Sequence, residues 1–196
     1  MTAHLYNNPR QNADLIFVIA GRDNRKRFGL ELFNEGLAPR ILFSVARFEI
    51  RRFSKMALPA QLDLLKLAQD VPPPQRHFFV FIHGTECHVQ HIQPGRFGTL
   101  TEMASLGRWL DANPQVRSLI LISNQIHLRR IGMCCRSLLP RGVEVALLAV
   151  PSSFLNSADE QSSAIQSRDS AVLEFLKVLV YRVLLTLRSH RRRPPS

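Results

Sequence analysis

Residues 119–130 read LILISNQIHLRR: four apolar residues in succession, a polar Ser123-Asn124 step, then a segment that carries His127 and Arg130. A short continuous apolar run that stops at small polar residues suits a strand covered on both faces, as in a parallel sheet. The polar step after it suits the entry into a helix, with Ser123 or Asn124 as a candidate cap. On a helix, His127 and Arg130 share a face and can converge on one group. Strand, polar turn and helix with cationic side chains make one wall of a ligand site in an α/β fold.

The same grammar recurs on either side. Residues 15–20 form an apolar run closed by Gly21, and a helix is expected over 25–35, ended by Gly36 and by Pro39 soon after it. A second strand covers 41–43 and reaches Ser44. The segment up to Gln69 carries helical spacing through Leu62, Leu64, Leu65 and Leu67, and VPPP at 71–74 closes it. A third strand is expected over 78–82; its neighbouring phenylalanines face both sides and belong to the core rather than to an RNA-stacking surface. Residues 83–98 have few apolar positions and two interior glycines, which predicts an irregular loop over the crevice. Thr99 and Glu102 have the spacing of a capping box opening a helix to about Asn113. A fourth strand (118–122), a helix (126–138) and a fifth strand (143–150) follow. The alternation predicts a single α/β domain, a Rossmann-like three-layer sandwich with a mostly parallel sheet, over residues 14–188, between an N-terminal tail (1–13) and a disordered basic tail (189–196).

Composition narrows the class. At 196 residues the chain can bury one substantial core, and 45% hydrophobic with 21% charged residues excludes disordered and fibrous proteins. A net charge of +11 favours anionic partners, although charge alone does not choose among phosphates, lipid and nucleic acid. Nothing singles out specific nucleic-acid binding. Cys87, Cys134 and Cys135 are odd in number and two are adjacent, so no disulfide framework is implied, and a reducing, cytoplasmic setting is expected. The N-terminal stretch lacks the basic start and longer apolar core of a secretory signal. A helix over 171–188 is apolar on a wide arc, but Glu174, Lys177 and Arg182 interrupt it, so docking on the domain is expected rather than a membrane span.

In an open parallel sheet the ligand crevice lies beyond the carboxyl ends of the strands. Those ends supply Gly21, Arg22 and Arg25, then Ser44, then Ser123, Asn124, His127 and Arg130, with Thr99 and Glu102 at the helix start between them. The set is mostly hydrogen-bond donors, which points to a small phosphate- or carboxylate-bearing ligand with Arg22, Arg25 and Arg130 as charge partners. Thr99, Ser123 and Asn124 orient it. If a reaction occurs there, His127 is the general acid or base, with Glu102 as the other candidate unless it only completes the capping box. Asp14 precedes its strand, roughly 20 Å from this edge at ~3.3 Å per residue, and reads as structural. His83, Cys87, His88 and His91 lie close together, yet their spacing matches neither paired Cys-x-x-Cys nor His-Glu-x-x-His, and no metal is expected. No dinucleotide fingerprint, phosphate-binding Gly-Lys-Thr/Ser loop or nucleophile elbow occurs.

The segments DLIFVIAGR, GLELFNEGLAPRILFS, GTLTEMASLGRWL and LILISNQIHLRRI, in that order and spacing, resemble the ElyC/SanA/YdcF family over residues 14–150, most specifically at Thr99 with Glu102 and His127 with Arg130. The resemblance implies a Rossmann-like sandwich, a link to bacterial envelope biogenesis and, from one cytoplasmic member, S-adenosylmethionine as a ligand. Two departures stand out. The family's glycine-rich first strand end is here Ala20-Gly21-Arg22, and its glycine pair after the second strand is Val45-Ala46. Glycines there admit a ligand close to the backbone, so their loss implies a changed or narrowed pocket. The alternative reading is a non-enzymatic adaptor at the periphery of the inner membrane, using the C-terminal helix and Arg191–Arg193 on anionic lipid.

Overall fold

The computed structural model describes residues 3–5 (backbone only), 12–58, 62–93, 95, 98–154, 177–182 and 184–186. Seven strands make one sheet in the order β1-β7-β6-β2-β3-β4-β5. They are β1 (Ala3–Leu5), β2 (Leu15–Val18), β3 (Arg40–Ala46), β4 (His77–His83), β5 (Glu86–His91), β6 (Ser118–Ser123) and β7 (Glu144–Ala149). β1, β7, β6, β2 and β3 run parallel, in the register Ile16 beside Ile41 on one side and Ile120 on the other. The expected Rossmann-like sandwich with a mostly parallel sheet is present.

The longer helices are α1 (Asp23–Asn34), α4 (Gly98–Asp111) and α5 (Leu128–Leu138), with the short α2 (Ile50–Phe53) and α3 (Leu64–Leu67) between β3 and β4. Successive strand residues point to opposite faces, and the core divides accordingly. Leu15, Phe17, Ile19, Leu119 and Leu121 meet Met103 and Leu106 of α4 and Ile131 and Cys135 of α5. Ile16, Val18, Ile120 and Ile122 meet Phe28 and Leu32 of α1, Phe53 of α2 and Leu64 of α3. Each face removes many large apolar side chains from water, at about 1.5–3 kcal/mol for each fully buried one before the entropy of ordering is set against it.

Four features differ from the sequence reading. β4 is antiparallel to β3, with Ala46 beside His77 and Arg40 beside His83. The expected loop at 83–98 contains β5, which returns antiparallel along β4. Gly84, at φ +58°, takes the left-handed conformation that a two-residue hairpin turn requires. β5 escaped detection because it is an edge strand with only Cys87 and Val89 partly buried. At the opposite edge, the stretch read as a tail contributes β1, three residues too short to show a period. The helical spacing before VPPP resolves into two separate short helices, α3 being capped by Asp63, which accepts from the Lys66 N–H.

The described part of the expected C-terminal helix, 177–182 and 184–186, is helical, and Tyr181 and Leu185 are buried in the α4–α5 core. Among the described residues no helix is long and apolar enough to cross a membrane. The basic tail at 189–196 lies outside the described residues.

Candidate functional site

The carboxyl ends of β2, β3, β6 and β7 share one edge of the sheet, and antiparallel β4 brings its first residue, His77, to the same edge. There the two helical layers close over a buried polar cluster: Arg25, Lys26, Ser44, Glu49, His77, Glu102, Ser123 and Arg130 are all buried. Uncompensated buried charge is costly, so such a cluster persists only where its members partner one another.

Glu102 is 4% exposed and projects from the first turns of α4 toward the sheet, where Oε1 accepts the Ala20 N–H at 2.6 Å. The Ser44 hydroxyl also bonds this carboxylate, and Ser44 Oγ lies 2.8 Å from His77 Nε2. Burial pushes the His77 ring down to about 4, outweighing the opposing pull of Glu49, so it is neutral near pH 7. A neutral ring protonated on Nε2 donates to Ser44, whose own proton is then directed at Glu102. That chain from His77 through Ser44 holds Glu102 in place. Burial raises the Glu102 carboxyl, against the lowering influence of Ser44, the Ala20 amide, Lys26 and Arg25.

The expected capping box is therefore not formed by Glu102. α4 begins at Gly98, one residue earlier, and Glu102 spends its oxygens on the sheet instead. Thr99, inside the first turn, accepts from Arg130 NH2 at 3.3 Å. Nor does Asn124 cap the following helix; its Oδ1 accepts from Arg25 Nε at 2.8 Å. The second arm of Arg25, NH1, donates to the Ala20 carbonyl at 2.5 Å. Gly21 has φ +147°, and a Cβ there would collide with this guanidinium, so glycine is required on both counts.

On the α1 side, Lys26 is 2% exposed and its ammonium reaches Glu49 Oε2, while Glu49 Oε1 accepts the Gly21 N–H. Burial raises Glu49 and lowers Lys26, and their mutual attraction opposes both shifts. Arg25 is lowered by burial; Glu102 and Glu49 push it back up, and the nearby positive charges of Arg130 and Arg22 push it down.

The sequence-predicted residues thus gather as follows. Arg25, Asn124 and Gly21 meet at the end of β2, and Thr99 and Arg130 meet across α4 and α5. Arg130 also lies over the Tyr181 ring, 5.5 Å from its centroid, and Tyr181 Oη accepts the Leu100 N–H at 3.3 Å. His127 is half-buried in the turn leading into α5. Arg22 is exposed beside the cluster, whereas Ser44 is fully enclosed and supports Glu102 from beneath. The Ser123 hydroxyl, on the same face of the sheet as Leu121, and both polar atoms of the Asn24 amide are buried with no hydrogen-bond partner among the described residues.

Lys26, Glu49 and His77 were not read as site residues. Two signals carried them: Lys26 sits one turn before Gly29 and Leu30 on α1, and His77 alternates with Phe79 and Phe81. Glu49 had no pattern of its own. Asp14 is at the opposite end of the sheet, as expected, accepting from Arg117 N (2.7 Å), Ser118 N (2.8 Å) and Ser118 Oγ (2.9 Å). The histidines of the hairpin are dispersed: His88 stacks on Phe81 and His91 Nε2 pairs with the Gln75 carbonyl at 2.9 Å. Among the described residues no group of three metal-ligating side chains gathers. No protein family, curated protein or solved structure matches the chain.

Proposed function

We propose that the chain binds a small anionic ligand at the carboxyl-terminal edge of its sheet, around the end of β2, where side chains of α1, α4 and α5 converge. The observation that carries this reading is that Arg25 and Arg130, from helices in two different layers, are both buried at one edge of the sheet, where Asn124 and the Ala20 carbonyl hold Arg25 and Thr99 holds Arg130. Holding two buried guanidinium groups close together is unfavourable unless something negative compensates them. Glu102 and Glu49 supply negative charge to Arg25, and a ligand anion at this edge adds to the field around both guanidinium groups. Ser123, at the end of β6 on the α4–α5 side, offers its buried hydroxyl to the ligand, since an unsatisfied buried group of this kind costs about 1–3 kcal/mol.

In this reading Arg25 and Arg130 are the charge partners, Thr99 and Asn124 fix their side chains, and exposed Arg22 attracts the ligand on approach. Glu102 is a positioning residue that ties α4 to the end of β2. His127, at the entrance to α5, is the group for proton transfer should the ligand be turned over. The ElyC/SanA/YdcF resemblance rests on the same residues and extends the proposal to a role in envelope biogenesis. Arg25 and Arg130 suit the carboxylate of S-adenosylmethionine as they suit a phosphate. Glu49 and Glu102 are both engaged with backbone N–H groups rather than turned toward a ribose, so the donor set suits a simple anion better than a nucleoside.

The test is binding by calorimetry to a panel of inorganic phosphate, sugar phosphates, nucleotides and S-adenosylmethionine. Arg130→Ala is expected to weaken the best ligand about 10- to 100-fold, the range of one charge-assisted hydrogen bond, and His127→Ala by less. Unchanged affinity in both variants for a confirmed ligand would remove the site.

A further inference from the structure

The end of β2 has two backbone donors, and both already hold a carboxylate of the chain itself. Ala20 N–H is taken by Glu102 and Gly21 N–H by Glu49. The two carboxylates are not equivalent. Glu102 is locked by Ser44 and His77 inside the α4 layer. Glu49 lies on the turn between β3 and α2, and it lines a crevice together with Gly21, Asp23, Lys26, Arg52 and Phe53. That crevice shares Asp23, Arg52 and Met56 with an open groove whose other walls include Arg27 and Lys55. Glu49 therefore has an exit that Glu102 lacks, and exposed Arg52 stands along it as a counter-ion.

A strand-end amide and a buried ammonium are the donor pair that a ligand oxygen would use, and Glu49 is seated on both. We infer that Glu49 is a resident anion of the strand-end site: an incoming phosphoryl group displaces it from Gly21 N–H and Lys26, and the released carboxylate pairs with Arg52. This rests on the reading of the carboxyl-terminal edge as an anion site, and it narrows the ligand class. A monocarboxylate offers the two donors nothing that Glu49 does not already offer, so exchange gains little. A phosphoryl dianion brings more charge and a third oxygen, and the remaining oxygens face Arg25 and the basic groove. Selectivity for phosphoryl over carboxylate ligands follows from that extra charge and third oxygen, while Glu49 sets one common threshold that either ligand must overcome. It also explains how a buried Lys26 is kept on the α1 face: its partner is Glu49 until the ligand takes that place.

The experiment is calorimetric titration with inorganic phosphate and with acetate, on wild type, Glu49→Gln, Glu49→Asp and Arg130→Ala, with folding checked by circular dichroism. Wild type is expected to bind phosphate at least about tenfold more tightly than acetate. Glu49→Gln should tighten phosphate and acetate by a similar factor, about tenfold, because the same internal competitor is removed for both. Glu49→Asp keeps the charge beside Lys26 but shortens its reach to Gly21, and should move both affinities the same way by a smaller factor. If Glu49→Gln does not fold, Glu49→Asp and the wild-type preference for phosphate carry the test. Equal wild-type affinity for phosphate and acetate overturns the inference, as does a phosphate affinity that the Glu49 variants leave unchanged. In those cases a loss in Arg130→Ala would still sustain the anion site. No binding to any of the proteins would overturn both.

Discussion

The two ends of the β2–β6 strand pair handle carboxylates in opposite ways. At the amino end, half-buried Asp14 takes three donors from Arg117 and Ser118 and has no cation within ion-pair distance among the described residues. Partial burial acts to raise it, but the two backbone N–H groups, the Ser118 hydroxyl and more distant Arg40 hold it below the ordinary aspartate value. It is a latch between two strands. At the carboxyl end, Glu49 and Glu102 are buried among Arg25, Lys26 and Arg130, and burial drives both above the ordinary glutamate value. The difference teaches that hydrogen bonding to a carboxylate does not itself mark a site. Carboxylates buried among cations at the carboxyl-terminal edge, where an anion is proposed to bind, are the better marker, because their balance changes when another anion arrives.

The sharpest way to break this contrast is Glu102→Ala. It strips Ala20 N–H and Ser44 of their acceptor and leaves Arg25 and Lys26 with less negative charge, so a loss of about 3–5 kcal/mol is expected by urea unfolding. A loss below about 1 kcal/mol would mean that the cluster is not held through Glu102.

His77 tests the same cluster through pH. Its folded value of about 4 lies below the ordinary 6.5, so between those values the unfolded chain binds the extra proton and stability falls as the solution is acidified. Relative to His77→Gln, wild type should lose up to about 3 kcal/mol between pH ~6.5 and ~4. Glu49 and Glu102, being raised, act with the opposite sign, favouring the folded state where they bind protons, and they are present in both proteins. Parallel stability curves for the two proteins would contradict a buried neutral His77.

Asp14→Ala should cost about 1–2 kcal/mol near neutral pH without altering anion affinity. Because Asp14 is depressed, its contribution is complete above the unfolded value and disappears as the pH drops through the folded one. A change in ligand affinity would mean that the two ends are coupled. The mildest probe is Thr99→Val, which removes the acceptor for Arg130 and should weaken anion binding about three- to tenfold with little effect on stability.

The sequence made the parallel half of the sheet legible because β2, β3, β6 and β7 are largely apolar runs covered on both faces. Strand direction is not written in that pattern, so β4 gave no sign of running backwards, and half-exposed β5 gave no alternation strong enough to read. The site divides in the same way. Arg25, Thr99, Glu102, Asn124 and Arg130 follow directly from strand ends and helix starts. Lys26 and Glu49 did not, since a charged side chain is expected in water and only a partner distant in sequence makes its burial tolerable. His77 is placed only by antiparallel β4, which sets its first residue beside Ala46 at the carboxyl-terminal edge of the parallel strands. For Glu102, spacing within one segment suggested a cap, while the controlling interaction is with Ala20, 82 residues away.

In the proposed function an anion binds at one end of the sheet and not at the other. Amide chemical shifts of the isotope-labelled protein, followed by NMR while inorganic phosphate is added, measure this directly. Saturable shifts are expected at Ala20, Gly21, Ser123, Asn124 and His127, with Asp14, Arg117 and Ser118 unmoved. Weak shifts spread over exposed arginines, or a response centred on the Asp14 end, would contradict it.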